Sequence, residues 1–247
     1  MTTETLFFLV CGAIAGGFIN GLSGTGTAMF ALGFYLVVLD PVHAVAIVTL
    51  MSVLAGFQGL WVVRAAIKAH PKRALRFIVP GLCGVPLGLL LLTMINSGTL
   101  RFGIAVMLII YGGYFSFRKA LPAFTKATPY IDNGIGFIGG LLGGASGLSG
   151  AIPTMWVSMR SWPKAEIRAL MQSFNMSILI TTVTLLFFKG AYDATAIQAL
   201  LITVPVGLIA AQIGIFVFRR LSDDMFRRLL IGLTFLMGIG VLISEIT

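Results

Sequence analysis

The chain has 247 residues, 58% of them hydrophobic and 10% charged, with a mean hydropathy of +1.02. Soluble domains are about 45–50% apolar and about 25% charged, so this composition excludes an ordinary cytosolic enzyme, a disordered chain and a coiled coil. It describes an all-α polytopic membrane protein with space for at most about eight to ten crossings and none for a separate soluble domain. The formal charge of +9 reads as cytoplasmic loops, not as a nucleic-acid surface. Cys11 and Cys83 both lie in apolar runs and form no disulfide framework.

Met1 to Thr5 carry Glu4 and no Lys or Arg. A cleavable signal peptide needs a positive start, so the first apolar run is expected to stay in the mature protein. Residues 5–39 are apolar but broken by Gly21-Leu22-Ser23-Gly24-Thr25-Gly26. Three runs follow, at 45–63, 77–95 and 102–117. Residues 130–159 are again apolar and again broken, at Ser146-Gly147-Leu148-Ser149-Gly150. Three more runs follow, at 169–188, 194–218 and 229–246.

The two breaks are one feature used twice. Gly16, Gly17, Gly21, Ser23 and Gly24 recur as Gly139, Gly140, Gly144, Ser146 and Gly147, each 123 positions on. Pro80 matches Pro205 at 125, and Arg101 and Gly112 match Arg227 and Gly238 at 126. The chain therefore reads as a first repeat (1–120), a linker (121–129) and a second repeat (130–247).

Charge decides the topology. If each broken stretch crosses once, the 17 Lys and Arg split nine against eight, which violates the positive-inside rule. If each stretch enters and returns on one side, they split fifteen against two, with only Arg101 and Lys189 outside. The arms also look short: residues 5–20 extend roughly 24 Å and residues 27–39 roughly 20 Å at 1.5 Å per residue, against a hydrocarbon core of about 30 Å. Each half becomes a re-entrant, or short-helix, hairpin plus three crossings. Three is odd, so the second repeat is inverted and both termini lie outside. Inverted repeats with broken helices are a transporter architecture, with the substrate held where the breaks meet. The plainer role for such glycines is close helix packing, but packing leaves the clustered Ser and Thr unexplained.

At each break a new helix points free N–H groups and the positive end of its dipole inward. That chemistry binds anions. The candidate substrate residues are Ser23, Gly24, Thr25, Gly26, Thr27, Ser146, Gly147, Ser149 and Gly150. The competing role for the hydroxyls is to satisfy their own turns. Asn20, Ser52, Gln172 and Asn175 are the candidate pathway residues among the polar groups inside apolar runs, where inter-helix hydrogen bonding is the alternative. All eight Asp and Glu lie at termini, ends or loops, so no buried carboxylate relay is expected. Glu166 and Arg168 read as a cytoplasmic gate or, more simply, an interfacial ion pair. His43 and His70 read as interfacial and loop residues. There is no metal cluster, P-loop or nucleophile–base pair, so neither a cofactor nor enzyme chemistry is expected.

The sequence resembles the sulfite exporter TauE/SafE family of bacterial membrane proteins. The resemblance rests on Gly16-Gly17-Phe18-Ile19-Asn20-Gly21-Leu22-Ser23-Gly24-Thr25-Gly26 and on its second copy, residues 139–150, each followed by a Pro, as in Asp40-Pro41 and Trp162-Pro163. It implies a secondary transporter that exports sulfite, an organosulfonate or a related small anion across the inner membrane. An anion channel and a carboxylate carrier are the alternatives. The partners expected are the anion, the lipid bilayer and, for so small a carrier, a second copy in a homodimer.

Overall fold

The computed structural model describes residues 2–69, 71–94 and 127–246, with 106, 109, 113, 124 and 125 between them. Most of the expected crossing at 102–117, together with Arg101, Gly112 and linker residues 121–123 and 126, lies outside the described residues. The helices, in chain order, are α1 (Thr3–Ser23), α2 (Thr27–Tyr35), α3 (Pro41–Ala69), α4 (Pro71–Met94), α5 (Pro129–Ser146), α6 (Ala151–Ser158), α7 (Lys164–Phe188), α8 (Ala194–Arg220) and α9 (Asp223–Ile246). Among the described residues, five of them (α1, α3, α4, α7 and α8) are long and apolar enough to cross a membrane. Large apolar side chains such as Trp61, Leu90, Leu201, Ile209 and Phe216 face outward. A surface of that kind suits hydrocarbon, where helices satisfy their backbone internally.

The two hairpins are more lopsided than the sequence implied. α1 has 21 residues and α2 has 9; α5 has 18 and α6 has 8. The first arms thus extend roughly 31 and 27 Å at 1.5 Å per residue. α1 begins where the Thr2 hydroxyl accepts from the Thr5 amide at 3.1 Å and runs on through Gly21. Glycine disfavours a helix interior by about 1 kcal/mol, and tertiary packing supplies the compensation. Gly17 and Gly21 face α8: a Cβ on Gly17 would lie 2.8 Å from Gly207 Cα, and one on Gly21 would lie 2.6 Å from the Ala211 carbonyl carbon. Gly140 faces Gly81 and Gly144 faces Val85 in the α4–α5 pair, with carbonyl carbons at 2.5 and 3.1 Å. Gly214 meets Leu22 in one pair, and Gly88 meets Ala145 in the other. Backbone touches backbone in both, as small residues permit.

Polar contacts sort the helix ends into two groups. At one end Arg73, at the start of α4, pairs with Glu166 of α7 at 2.5 Å. Asn133 of α5, with its amide oriented to satisfy both partners, donates to the Arg76 carbonyl at 2.8 Å. Lys164 donates to the Phe218 carbonyl at the end of α8 at 3.3 Å. At the opposite end His43, in the first turn of α3, lies between Asp40 and Asp193, with Nε2 3.1 Å from Asp193, and the Tyr192 hydroxyl donates to the Ala46 carbonyl at 3.1 Å. The α5–α6 hairpin is rooted at the first, cation-rich end. Arg160, past the end of α6, holds Asp132 of the first α5 turn at 3.2 Å and stacks over Trp156, whose indole N–H donates to the same carboxylate at 2.8 Å. The α1–α2 hairpin runs into α3 at the His43 end, so the two hairpins enter the bundle from opposite ends.

Candidate functional site

The hairpin tips meet inside the protein. Helix α1 stops because Gly24 adopts a left-handed conformation (φ 83°), its N–H returning to the Asn20 carbonyl; α5 stops the same way at Gly147 (φ 74°), its N–H returning to Gly143. Only glycine takes this cap without strain. Gly26 is also left-handed (φ 94°) and starts α2. Residues 19–28 and 142–154 are all buried. The closest approach is Thr25 against Gly150: a Cβ on Gly150 would lie 2.8 Å from Thr25 Cβ and 2.9 Å from its Cγ2, and nearer still to its hydroxyl.

Each expected site residue falls in or beside this junction, but their roles divide. The Ser23 hydroxyl donates to its own turn, at Ile19 and Thr25 carbonyls (2.9 and 2.7 Å), and Ser146 donates to Leu142 (3.1 Å). Both serines shape backbone. Thr27 accepts from the Asn20 amide at 2.7 Å, and Ser149 donates to the Asn175 carbonyl oxygen at 2.5 Å. Asn20 also reaches the Ser52 backbone oxygen (3.4 Å), and Gln172 donates to the Gly56 carbonyl (3.1 Å). Around the junction, five buried side-chain atoms have no hydrogen-bond partner among the described residues: the Thr25 and Thr154 hydroxyls, Asn20 Oδ1, Gln172 Oε1 and Asn175 Nδ2. Buried polar groups are paired in the great majority of cases, so this cluster of orphans beside two helix starts departs from ordinary packing.

The two helix starts are unequal. At α2 the Met29 N–H turns back to Gly26 at 3.2 Å, which leaves the Thr27 and Ala28 N–H groups without a backbone partner among the described residues. At α6 the Ala151 N–H turns back to Leu148 at 3.3 Å, and Pro153 has no N–H at all. α2 is therefore the stronger anion-facing end.

The Glu166–Arg168 pairing is not formed: Glu166 turns to Arg73 instead. Residues two apart on a helix face different directions, and Arg168 lies fully buried. Three participants escaped sequence reading. Thr49, its methyl 3.2 Å from a Cβ on Gly147, sits below the second break. Thr154 opens α6 with an orphan hydroxyl. The Asp132–Arg160 pair is buried, at 3% and 2% exposure. Only Thr49 carried a signal, since it stands 123 positions before Gln172.

A helical bundle with an apolar exterior and two interrupted hairpins converging on a polar interior has the architecture of an integral membrane protein. The chain belongs to the sulfite exporter TauE/SafE family, whose match covers residues 8–241. No curated protein matches the chain. Membership makes it a membrane transporter of sulfite or a related anion.

Proposed function

We propose that the chain exports a small oxyanion such as sulfite or an organosulfonate across a bacterial inner membrane, held between the two hairpin tips. The observation that carries this reading is the Thr25–Gly150 junction, where orphan polar atoms converge inside an otherwise apolar bundle. The α2 N-terminus, the Thr25 hydroxyl and Asn175 Nδ2 offer donors to oxyanion oxygens. Asn20 Oδ1 and Gln172 Oε1 are acceptors; they suit a water or a protonated oxygen on the ligand. In this reading the repeats at 1–120 and 130–247 are inverted, the termini lie outside, and the cation-rich end faces the cytoplasm. Entry of the hairpins from opposite ends and the recurrence of the glycine contacts support that orientation. An interior-negative potential drives anion exit by about 2.3 kcal/mol per charge per 100 mV, so export needs no mid-span carboxylate.

The test is flux of radiolabelled sulfite, taurine, sulfolactate and acetate in proteoliposomes at controlled voltage. Thr25→Val keeps shape and loses the hydroxyl; Asn175→Ala loses the free amide. Saturable, voltage-driven flux that both substitutions weaken is expected. Flux that never saturates points to a channel, and preference for acetate to a carboxylate carrier. No anion flux from folded protein refutes the proposal.

A further inference from the structure

Arg168 stands in α7, one helical turn before Gln172, and is 0% exposed. Its guanidinium carbon lies over the ring of Phe218 of α8, 4.1 Å from the centroid. Its side-chain Cγ is 3.5 Å from the position a Cβ would take on Gly24, and Gln172 Oε1 is 2.9 Å from that same position. The residue therefore borders the cap of the first break. Its Nε, Nη1 and Nη2 have no hydrogen-bond partner among the described residues.

Among the described residues no counter-charge pairs with it. Glu166 is engaged by Arg73. The Asp223 carboxylate accepts from the Lys164 backbone N–H at 3.3 Å. The charge within Coulombic reach is Arg219, of the same sign. Arginine does not escape by deprotonation, and a buried charge without a partner is among the most destabilising features a fold can carry. Arg219, with Gln58, Trp61, Gln212 and Phe216, also lines an open groove of about 540 Å³ between α3 and α8. The Phe218 ring supplies a cation–π contact, while the guanidinium nitrogens keep no hydrogen-bond partner among the described residues.

We infer that Arg168 is the charge partner of the transported anion, holding it beside the Gly24 cap on the approach from the cation-rich end. The inference rests on the proposed anion export and adds to it a residue and a ligand geometry. A planar fork of N–H donors matches two oxygens of one group. The ligand class is then an oxyanion with adjacent oxygens, such as sulfite, a sulfonate or a carboxylate, in preference to a halide. Transfer to the tips needs only a short step, because Gly24 borders both Arg168 and Gln172. Leaving Arg168 empty is unfavourable, which favours reloading from the same side.

The experiment compares native protein with Arg168→Gln and Arg168→Met, using labelled sulfite flux in proteoliposomes and melting temperature in detergent with and without sulfite. Native protein should melt higher as sulfite is added, by linkage. Both variants should lose that rise, and their KM for sulfite should increase about tenfold or more, as for a lost charge-assisted bond. Without sulfite they should melt at or above the native temperature, because an unpaired buried charge has been removed. A native KM, or a native sulfite-dependent rise, in either variant overturns the inference. So does a collapse of both variants without sulfite, since the guanidinium would then serve the fold. If native protein carries none of the anions, the export proposal fails, and the sulfite melting series alone still decides whether Arg168 binds an oxyanion.

Discussion

Gly140→Ala and Gly134→Ala place the same methyl group on the same helix, α5, and the structure gives them opposite signs. At Gly140 the new Cβ would lie 2.5 Å from the Gly81 carbonyl carbon and 2.7 Å from its Cα, with the carbonyl oxygen nearer still. The obstacle is α4 backbone, which no rotamer change can clear, so the helices must part. Overpacking costs about 1–3 kcal/mol where side chains can adjust, and the upper end applies here. With about 2–4 °C per kcal/mol for a chain of this size, the melting temperature should fall by about 6–12 °C. At Gly134 nothing lies within 4 Å. Alanine there restricts the unfolded chain and improves helix propensity by about 0.4–1 kcal/mol, so the melting temperature should rise by a few degrees. Scanning fluorimetry of the purified protein in detergent reads both. Equal shifts of one sign, or a Gly140→Ala protein as stable as the native one, would refute the claim that backbone contact fixes the α4–α5 spacing.

Three further outcomes follow from the ends and the junction. Gly150→Ala should depress anion flux far more than stability, and Thr25→Gly in the same chain should recover part of it, because the three atoms nearest the added Cβ all belong to Thr25. Glu166→Gln should lower stability by about 1 kcal/mol, a modest value since both partners of the Arg73 pair are about a quarter exposed, and the exchanged pair Arg73→Glu with Glu166→Arg should regain most of it. Asp193 is held below the ordinary 3.8 chiefly by the Ala196 N–H it caps, and Asp40 chiefly by its hydrogen bond to His43. Both values are depressed, so the stabilisation is full above 3.8 and drains as pH falls through the native values; acid melting curves should flatten in Asp193→Asn, which keeps the cap but not the charge.

What the sequence disclosed and what it withheld have separate physical causes. Charge and backbone requirements are written in residue type. Lys and Arg avoid hydrocarbon, so their positions mark one end of the bundle, and Arg73, Arg76 and Lys164 do contact the same set of helix ends. A left-handed cap needs glycine, so Gly24 and Gly147 appear at one spacing in both the sequence and the structure. Helix length was less legible, because the propensity that argues against Gly17 and Gly21 is local and the packing on α8 that overrides it is about 190 residues away. The duties of the hydroxyls were not legible at all. Ser23 and Thr25 are two residues apart in one motif, yet one closes its own turn and the other faces Gly150 with no partner among the described residues. That difference is set by where a second hairpin stops. The same holds for Arg168: beside Glu166 in sequence it reads as half of an ion pair, and only the arrival of Phe218 from α8 turns it inward. Local rules thus locate the breaks, while which polar atoms are left unpaired at the junction is decided by contacts between the two halves. Substitutions that shift one hairpin against the other should therefore disturb flux even where they touch no candidate site residue.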